Sequence, residues 1–264
     1  MLFSEYWKMK IAIHSTSWGF SPDWIAYCER VGINYKIVNC YDSNIIKQIT
    51  DCDALLWNHH HTHAKDVLFA KQLLLAIWHS GKRIFPDFNS GWHFDDKVGQ
   101  KYLLEAINAP LAATWVFYDK KDALDWIKTT EFPKVFKLRG GAGSSNVKLI
   151  HNRSQALRFV KRAFGKGFPS YDKLEDLKEQ IRRFDWSKHS QVNLGKSVRR
   201  LFMSTLFART VGHQKGYVLF QEFAPNNKFD IRVITIGERA FAIKRIVRAN
   251  DFRASGSEIG RAHV

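Results

Sequence analysis

The sequence predicts an α/β protein in two parts, a parallel α/β domain over residues 1–90 and a larger α+β domain after it. Two observations support this prediction. Strand-like and helix-like segments alternate through the first part, and strand-like segments joined by a tight turn lie near the carboxyl end. Alternation is typical of parallel strands joined by helices, whereas a tight turn joins antiparallel strands.

The first part is predicted to contain four strands and three helices. Its first helix begins at Ser21, a good capping residue, with Pro22 in the first turn. The alternating order implies a parallel sheet with helices on both faces. The predicted strands cover 10–14, 35–40, 53–58 and 82–87, and the predicted helices cover 21–31, 43–49 and 64–81.

The second part begins near Gly91 and extends to residue 257. Its middle stretch, 153–215, is basic and is predicted to be helical. A tight turn at Gly237 and Glu238 makes the last two strands antiparallel. The predicted helices cover 95–110 and 121–129, and the predicted strands cover 114–119, 134–139, 146–151, 217–223 and 229–248.

The net charge and the cysteine content restrict the class of protein but do not identify its binding partner. The net charge is +16, which suits any anionic partner: a nucleotide, an acidic peptide, an anionic glycan, a nucleic acid or a membrane surface. Cys28, Cys40 and Cys52 form no Cys-x-x-Cys pair, so we expect reduced thiols rather than a zinc site. No apolar run is long enough for a membrane span, and the amino terminus lacks a secretory signal pattern. We therefore expect a cytoplasmic protein.

A glycine-rich loop, residues 140–145, follows a strand that carries Lys137 and precedes another strand. Glycines let backbone N–H groups approach phosphate oxygens closely, and a lysine on a rigid strand supplies positive charge. The spacing of a Walker A loop is absent. The pattern alone leaves two interpretations open: a loop that folds over a triphosphate, or a hairpin loop with no ligand.

Later segments carry groups that suit the rest of a nucleotide. The strand that ends at Gln221 and Glu222 is followed by a bend, which exposes backbone groups to the edge of an adenine. Asp230, several residues further on, can bind ribose hydroxyls, and arginines on the last strands suit phosphate or acylphosphate oxygens. Each feature by itself is also consistent with an ordinary strand–turn–strand or a solvated basic strand face.

Taken in order, these motifs resemble the ATP-grasp superfamily, most of all its branch of ribosomal-protein glutamate ligases and more distantly the D-alanine–D-alanine ligases. The resemblance covers roughly residues 90–256, and the first part is similar to the domain that precedes the ATP-grasp domain in this family. It implies an ATP-dependent carboxylate–amine ligase that acts through an acylphosphate, with ATP and Mg²⁺ as cofactors. The motifs are Asp96-Lys97, the strand 133–137, the loop 140–145 and the segments 221–223, 230–233, 237–245 and 251–257.

The resemblance also implies roles for individual residues. The lysines and the glycine-rich loop would contact the phosphates, the end of the strand would contact the adenine, and the aspartate would lie near the ribose. The nucleotide-binding residues implied in this way are Lys97, Lys137, Gly140, Gly141, Gly143, Ser144, Ser145, Gln221, Glu222, Phe223, Ala224 and Asp230. The implied catalytic residues, which would face the phosphates and the acylphosphate, are Arg232, Arg245 and Arg253.

Two departures from the family pattern lead to further expectations. The segment 153–215 is longer and more basic than usual, so we expect an insertion that docks an anionic acceptor, such as an acidic peptide or a polysaccharide. The family's magnesium ligands, carboxylates and an asparagine on later strands, have no counterpart before residue 264, so we assign no metal ligand. We expect an incomplete ATP-grasp domain over 91–257, inactive as a ligase by itself, and a non-native tail at 258–264.

Four histidines, His59, His60, His61 and His63, follow the third predicted strand. They lie at the carboxyl end of that strand, where open α/β sheets place their ligands. Successive residues point in different directions, so few of them can share one metal ion. A metal site, a substrate-facing loop and a polar loop without a special role all remain open.

Two rival functions also remain open. A basic nucleic-acid-binding protein would explain the net charge, but the sequence lacks an RNP strand pair and paired Cys and His residues, so we do not expect nucleic acid as a partner. A nucleotide-binding protein without catalysis is the second rival. The carboxylate and amine substrates and the oligomeric state do not follow from the sequence.

Overall fold

The computed structural model describes residues 9–140, 146–170, 177, 181 and 206–247 of the chain. The chain divides into two compact units, one up to Phe94 and one from Asp95 onward. Each unit has its own buried apolar cluster. None of the helices in the described ranges has both the length and the apolar character needed to cross a membrane.

The amino-terminal unit contains a parallel sheet of four strands in the order β2-β1-β3-β4. The two central strands, β1 and β3, are the most buried, with Ala12, Ile13 and Leu55 fully inaccessible to solvent. The predicted parallel α/β fold of this unit is therefore confirmed. The elements are β1 (Lys10–His14), α1 (Ser21–Val31), β2 (Asn34–Val38), α2 (Ile45–Gln48), β3 (Ala54–Leu56), α3 (Ala64–His79), β4 (Arg83–Phe85) and α4 (Phe88–Gly91).

The core of this unit forms between the sheet and two of its helices. Ile45 and Ile49 from α2 and its carboxyl end pack in one cluster with Leu74 and Ile77 from α3, so these two helices cover the same face of the sheet. All three cysteines of the chain are buried and free, at residues 28, 40 and 52. Burial raises the pKa of each thiol, which disfavours the reactive thiolate.

The bounds predicted for α1 are confirmed, but Ser21 does not act as its capping residue. Phe20, not Ser21, is the N-cap residue, and it makes no side-chain capping bond. The Ser21 hydroxyl accepts a hydrogen bond from the Thr16 backbone N–H at 2.9 Å and donates to the Thr16 carbonyl at 3.1 Å. The serine therefore braces the loop that precedes the helix. A short helix that the sequence pattern did not indicate, α4, begins after Asp87, whose carboxylate accepts from the Ser90 N–H at 3.1 Å.

The carboxyl-terminal unit contains an antiparallel sheet of four strands in the order β5-β10-β6-β7. Phe136 on β6 and Phe220 on β10 are buried, with ring centroids 5.7 Å apart, and pack with residues of α6 and α7. The elements are α5 (Lys97–Ala106), β5 (Thr114–Phe117), α6 (Lys120–Thr129), β6 (Lys134–Lys137), β7 (Val147–Ile150), α7 (Arg153–Ala163), β8 (Phe168–Pro169), α8 (Leu206–Val211), β9 (His213–Gln214), β10 (Val218–Glu222), β11 (Phe229–Ile236) and β12 (Arg239–Ile246).

The basic stretch 153–215 is helical at 153–163 and 206–211, as predicted, but the prediction was wrong at 168–169 and 213–214, which are short strands. The helix α7 ends at Ala163, and β8 then pairs with β9 in an antiparallel manner. Gly167 explains the break, because its φ is +73° and a Cβ atom there would lie 2.7 Å from the Gln214 carbonyl oxygen. Only glycine fits this left-handed conformation and close approach without strain. Apart from residues 177 and 181, the positions between 171 and 205 lie outside the described residues.

The hairpin of β11 and β12 forms a separate two-stranded sheet. The predicted antiparallel pairing with a turn at Gly237 is confirmed, and that glycine has a φ of +59°. Neighbouring positions of β11 point to opposite faces, yet Ile231, Val233 and Ile236 are all more than 60% exposed. Within the described residues, both faces of this hairpin therefore present apolar side chains to solvent.

Candidate nucleotide-binding site

Two lysines mark one end of the candidate site. Lys137 is the last residue of β6 and Lys97 is the first residue of α5, and the Lys97 backbone N–H donates to the Arg139 carbonyl at 2.9 Å. Burial, together with the positive charge of Lys97, lowers the pKa of Lys137 to about 8. Burial also lowers the pKa of Lys97, against the opposing effect of two neighbouring aspartates. The arrangement therefore concentrates positive charge where water is partly excluded.

The Gln221 side chain holds Lys137 in place. Its amide oxygen accepts a hydrogen bond from the Lys137 ammonium, and its amide nitrogen donates to the Thr114 hydroxyl at 2.9 Å. Gln221 can do both because β10 lies between β5 and β6, opposite Thr114 on one side and Val135 on the other. The glutamine, assigned to the adenine by the resemblance, is thus joined to the lysine assigned to the phosphates.

The next residues along β10 turn away from this lysine. The Glu222 carboxylate forms an ion pair with Lys134 at 2.9 Å, and the Lys134 ammonium also lies 5.5 Å from the centre of the Trp115 ring. Beyond the strand, Phe223 is half-buried and Ala224 is exposed. The backbone at residues 223 and 224 therefore leaves the sheet. Backbone groups that bind the edge of an adenine would have to do so. No observation tests that contact, so it remains a prediction.

An aspartate and an arginine fix the start of the glycine-rich loop. Asp96 caps α5 by accepting from the Gly99 N–H at 2.9 Å, and its other oxygen accepts from Arg139 Nε at 2.8 Å. The Arg139 backbone N–H donates to the Tyr217 hydroxyl oxygen at 2.5 Å, and burial raises the pKa of that tyrosine to about 12. Sequence reasoning missed Arg139 and Tyr217. Asp96 was recognisable, because an aspartate just before a helix is a capping signal.

Gly140 is the described residue of the loop. Its N–H lies 3.4 Å from the Gln214 side-chain oxygen, and a Cβ atom there would make only ordinary contacts at 3.5 Å. Space alone does not require glycine at this position. The other predicted loop residues, Gly141, Gly143, Ser144 and Ser145, lie outside the described residues, as does the predicted catalytic Arg253.

The remaining predicted residues lie on the hairpin. Asp230 and Arg245 face each other across β11 and β12, with Arg245 Nε donating to Asp230 Oδ1 at 2.6 Å and a second bond joining the other pair of atoms. Asp230 is thus engaged by an arginine, which sequence reasoning did not foresee. Arg232 is exposed on the same strand. A contact of these residues with ribose or phosphate remains a prediction.

Across the described ranges, no set of three or more His, Cys, Asp or Glu side chains is arranged to hold a metal ion. Neither the four histidines after β3 nor the three cysteines form such a set. The residues that the structure describes therefore do not fit a magnesium site.

Similarity to solved structures identifies the fold. A RimK domain ATP-grasp protein from Sphaerobacter thermophilus superimposes with a TM-score of 0.54 at 14% identity, over 89% of this chain and 72% of that one. An N5-carboxyaminoimidazole synthase from Aspergillus clavatus, solved with ADP and an aminoimidazole ribonucleotide, gives a TM-score of 0.50 at 8% identity, over 93% of this chain and 56% of that one. The chain has the ATP-grasp fold.

This finding confirms the predicted fold class, a parallel α/β unit followed by an ATP-grasp unit. The ATP-grasp likeness rests on structure alone, because no known family model and no curated protein matches the sequence. At such low identity the likeness shows the fold only. It does not transfer the substrates of either relative, and the chain spans just over half the length of the second one.

Proposed function

We propose that this chain forms the nucleotide-binding part of an ATP-dependent carboxylate–amine ligase of the kind found in the branch of ribosomal-protein glutamate ligases. The observation that carries the proposal is the pair of partly buried lysines, Lys97 and Lys137, at the start of a glycine-rich loop in an ATP-grasp fold. Asp95 and Asp96 raise the pKa of Lys97, whereas the neighbouring charge that shifts the pKa of Lys137 is the positive charge of Lys97, so a further anion beside the two lysines would be favourable. A polyphosphate supplies that anion, and the loop supplies backbone N–H groups for its oxygens.

The proposed reaction has two steps. An oxygen of the substrate carboxylate attacks the terminal phosphorus of ATP, the bond to ADP breaks, and an acylphosphate forms. The amine then attacks the acyl carbon, inorganic phosphate leaves, and an amide remains. Enzymes accelerate such transfers mainly by positioning the reactants and neutralising their charge.

The residues of this chain contribute to binding and to charge. Lys97 and Lys137 would contact the phosphates, and Gln221 would keep the Lys137 ammonium directed towards them through its own bond to Thr114. The backbone of 223 and 224 would contact the adenine. Divalent cations supply further charge neutralisation in phosphoryl transfer, and the described residues hold no site for them.

Nucleotide titration with a matched pair of lysine variants tests the proposal. Lys137→Ala removes a charge-assisted contact, so ADP affinity should fall by about 1–3 kcal/mol, or roughly 5- to 150-fold. Lys128→Ala is the control, because Lys128 pairs with Asp125 on the exposed face of α6 and should leave affinity unchanged. Isothermal titration calorimetry measures both. Equal ADP affinities of the wild type and Lys137→Ala would show that Lys137 is structural and would remove the basis of the proposal.

A further inference from the structure

The histidine-rich loop of the amino-terminal unit lies at a distinctive place in the sheet. From β1 the chain crosses to β2 at one edge, whereas from β3 it crosses to β4 at the opposite edge. The two central strands, β1 and β3, are neighbours whose connections leave in opposite directions. In open parallel sheets such a switch point opens a crevice beyond the carboxyl ends of the two strands, and ligands bind there.

The loops that follow these two strands form one cluster of rings. The Trp18 indole, from the loop after β1, lies 4.4 Å from the His63 ring and 5.4 Å from the His60 ring, from the loop after β3. The His60 and His61 rings are 4.2 Å apart. We name Trp18, His60, His61 and His63 the indole–imidazole cluster. It spans the switch point from both sides.

Short contacts join the two loops rigidly. Gly19 has a φ of +78°, and a Cβ atom there would lie 1.9 Å from Asn58 Oδ1. The same Asn58 oxygen accepts from the Phe20 backbone N–H at 3.2 Å. Asp66 fixes the other loop, because one of its oxygens accepts from the His60 N–H at 2.7 Å. The loops are therefore held in one arrangement by the fold.

The cluster presents imidazole N–H donors rather than carboxylates. Asp66, the acid that bonds this loop, is buried, and its second oxygen accepts from the Tyr41 hydroxyl at 2.6 Å. His60 Nδ1 lies 2.7 Å from the Thr62 hydroxyl oxygen and accepts from the Thr62 backbone N–H at 3.3 Å, so a ligand would contact the other ring nitrogen, Nε2. His61 Nδ1 is buried and has no hydrogen-bond partner among the described residues. Imidazole donors on an aromatic surface suit an anionic group carried by a small organic molecule.

We infer that the indole–imidazole cluster binds the carboxylate group of a small organic acid. Naming that acid as the substrate of the ligase rests on the proposed function, whereas the binding site itself rests on the geometry of the amino-terminal unit. Trp18 would provide the apolar surface, and the imidazoles would provide donors to the carboxylate oxygens.

Titration of the whole chain with glutarate, followed by NMR of the imidazole and indole groups, tests this inference. Glutarate should shift the His60, His63 and Trp18 signals, and the uncharged glutaramide should not. His63→Gln and Trp18→Leu should each weaken glutarate binding about fivefold or more. His63 is exposed and its side chain makes no capping bond, so its replacement should leave the fold intact.

The opposite end of α3 offers a matched control. Trp78 and His79 form an indole–imidazole pair there, with centroids 5.0 Å apart, about 24 Å along the helix from His63. His79→Gln should leave glutarate binding unchanged.

Several outcomes would overturn the inference: no signal shift with glutarate, equal binding by wild type and His63→Gln, or binding of inorganic phosphate at the cluster without binding of glutarate. ADP titration of the same samples separates the two proposals. Glutarate binding without ADP binding would contradict the ligase function and leave this site standing, and the reverse would remove only this site.

Discussion

The four-stranded sheet and the hairpin of the carboxyl-terminal unit both carry predicted site residues, but they hold them differently. On the sheet, Lys137 and Gln221 follow directly after the buried Phe136 and Phe220, so the core fixes the strands that present them. On the hairpin, the partly exposed Asp230 and Arg245 are fixed mainly by each other. The contrast predicts that substitutions on the sheet change both stability and binding, whereas substitutions on the hairpin have small effects on stability.

The largest difference should come from matched truncations in the two sheets. Phe136→Ala removes a ring that packs 4.9 Å from Phe159 and 5.1 Å from Phe168, and should destabilise the carboxyl-terminal unit by about 3–5 kcal/mol. Val233→Ala should cost less than about 0.5 kcal/mol, because Val233 is 62% exposed. Hydrogen exchange resolved by peptide measures both. Similar losses for the two variants would remove the contrast.

Asp96→Asn should have the next largest effect. It weakens the cap of α5 and the ion pair with Arg139, and should reduce stability by about 1–2 kcal/mol. The same change should also weaken ADP binding, because Lys97 follows directly in the helix. Asp125→Asn, which alters the exposed pair with Lys128, is the control and should cost less than about 0.5 kcal/mol. Chemical denaturation that gave equal costs would show that Asp96 is an ordinary surface residue.

The pH dependence of binding sharpens the comparison further. Between pH 8 and about 10.5 the folded state loses the Lys137 proton while the unfolded chain keeps it, so the Lys137 contribution to folding stability becomes more favourable as pH rises through this window. Nucleotide affinity should move in the opposite direction, because the phosphates favour the ammonium. ADP affinity should fall about fivefold between pH 7.5 and 9.5.

Lys137→Arg supplies the control for this pH effect, because its guanidinium stays charged over the whole range. The variant should show a flat affinity profile where the wild type shows a decline. A flat profile for the wild type would mean that Lys137 does not titrate near the nucleotide.

The smallest effect should come from the hairpin ion pair. Asp230→Asn weakens a bidentate contact with Arg245 whose partners are 32% and 24% exposed, so stability should fall by about 1 kcal/mol or less. Thr235→Asn, at an exposed position of the same strand, is the control. Hydrogen exchange of the hairpin amides measures the effect. A loss as large as that of Phe136→Ala would show that the pair, rather than the core of the unit, governs stability.

Sequence patterns predicted the elements well where one local rule decided them. The alternation of strands and helices correctly predicted the parallel sheet, and Gly237 correctly predicted the hairpin turn. The errors arose where distant residues decide: Ser21 bonds Thr16 instead of capping α1, and Gly167 ends a basic helix to approach Gln214.

In the candidate site, too, local patterns predicted individual residues but not their contacts with distant residues. Lys137 was evident from its strand and loop, but its bond to Gln221 depends on β10 lying beside β6, 84 positions away in sequence. Such a pairing does not follow from local composition, because it is set by the order of strands in the sheet.

The buried cysteines have a practical consequence for measuring these effects. All three thiols of the chain lie in the amino-terminal unit, and the carboxyl-terminal unit has none. A thiol-labelling reagent added to the folded protein should therefore react only as fast as the amino-terminal unit opens. The labelling rate therefore reports how fast the amino-terminal unit opens. A substitution such as Phe136→Ala should leave this rate unchanged unless the two units unfold as one.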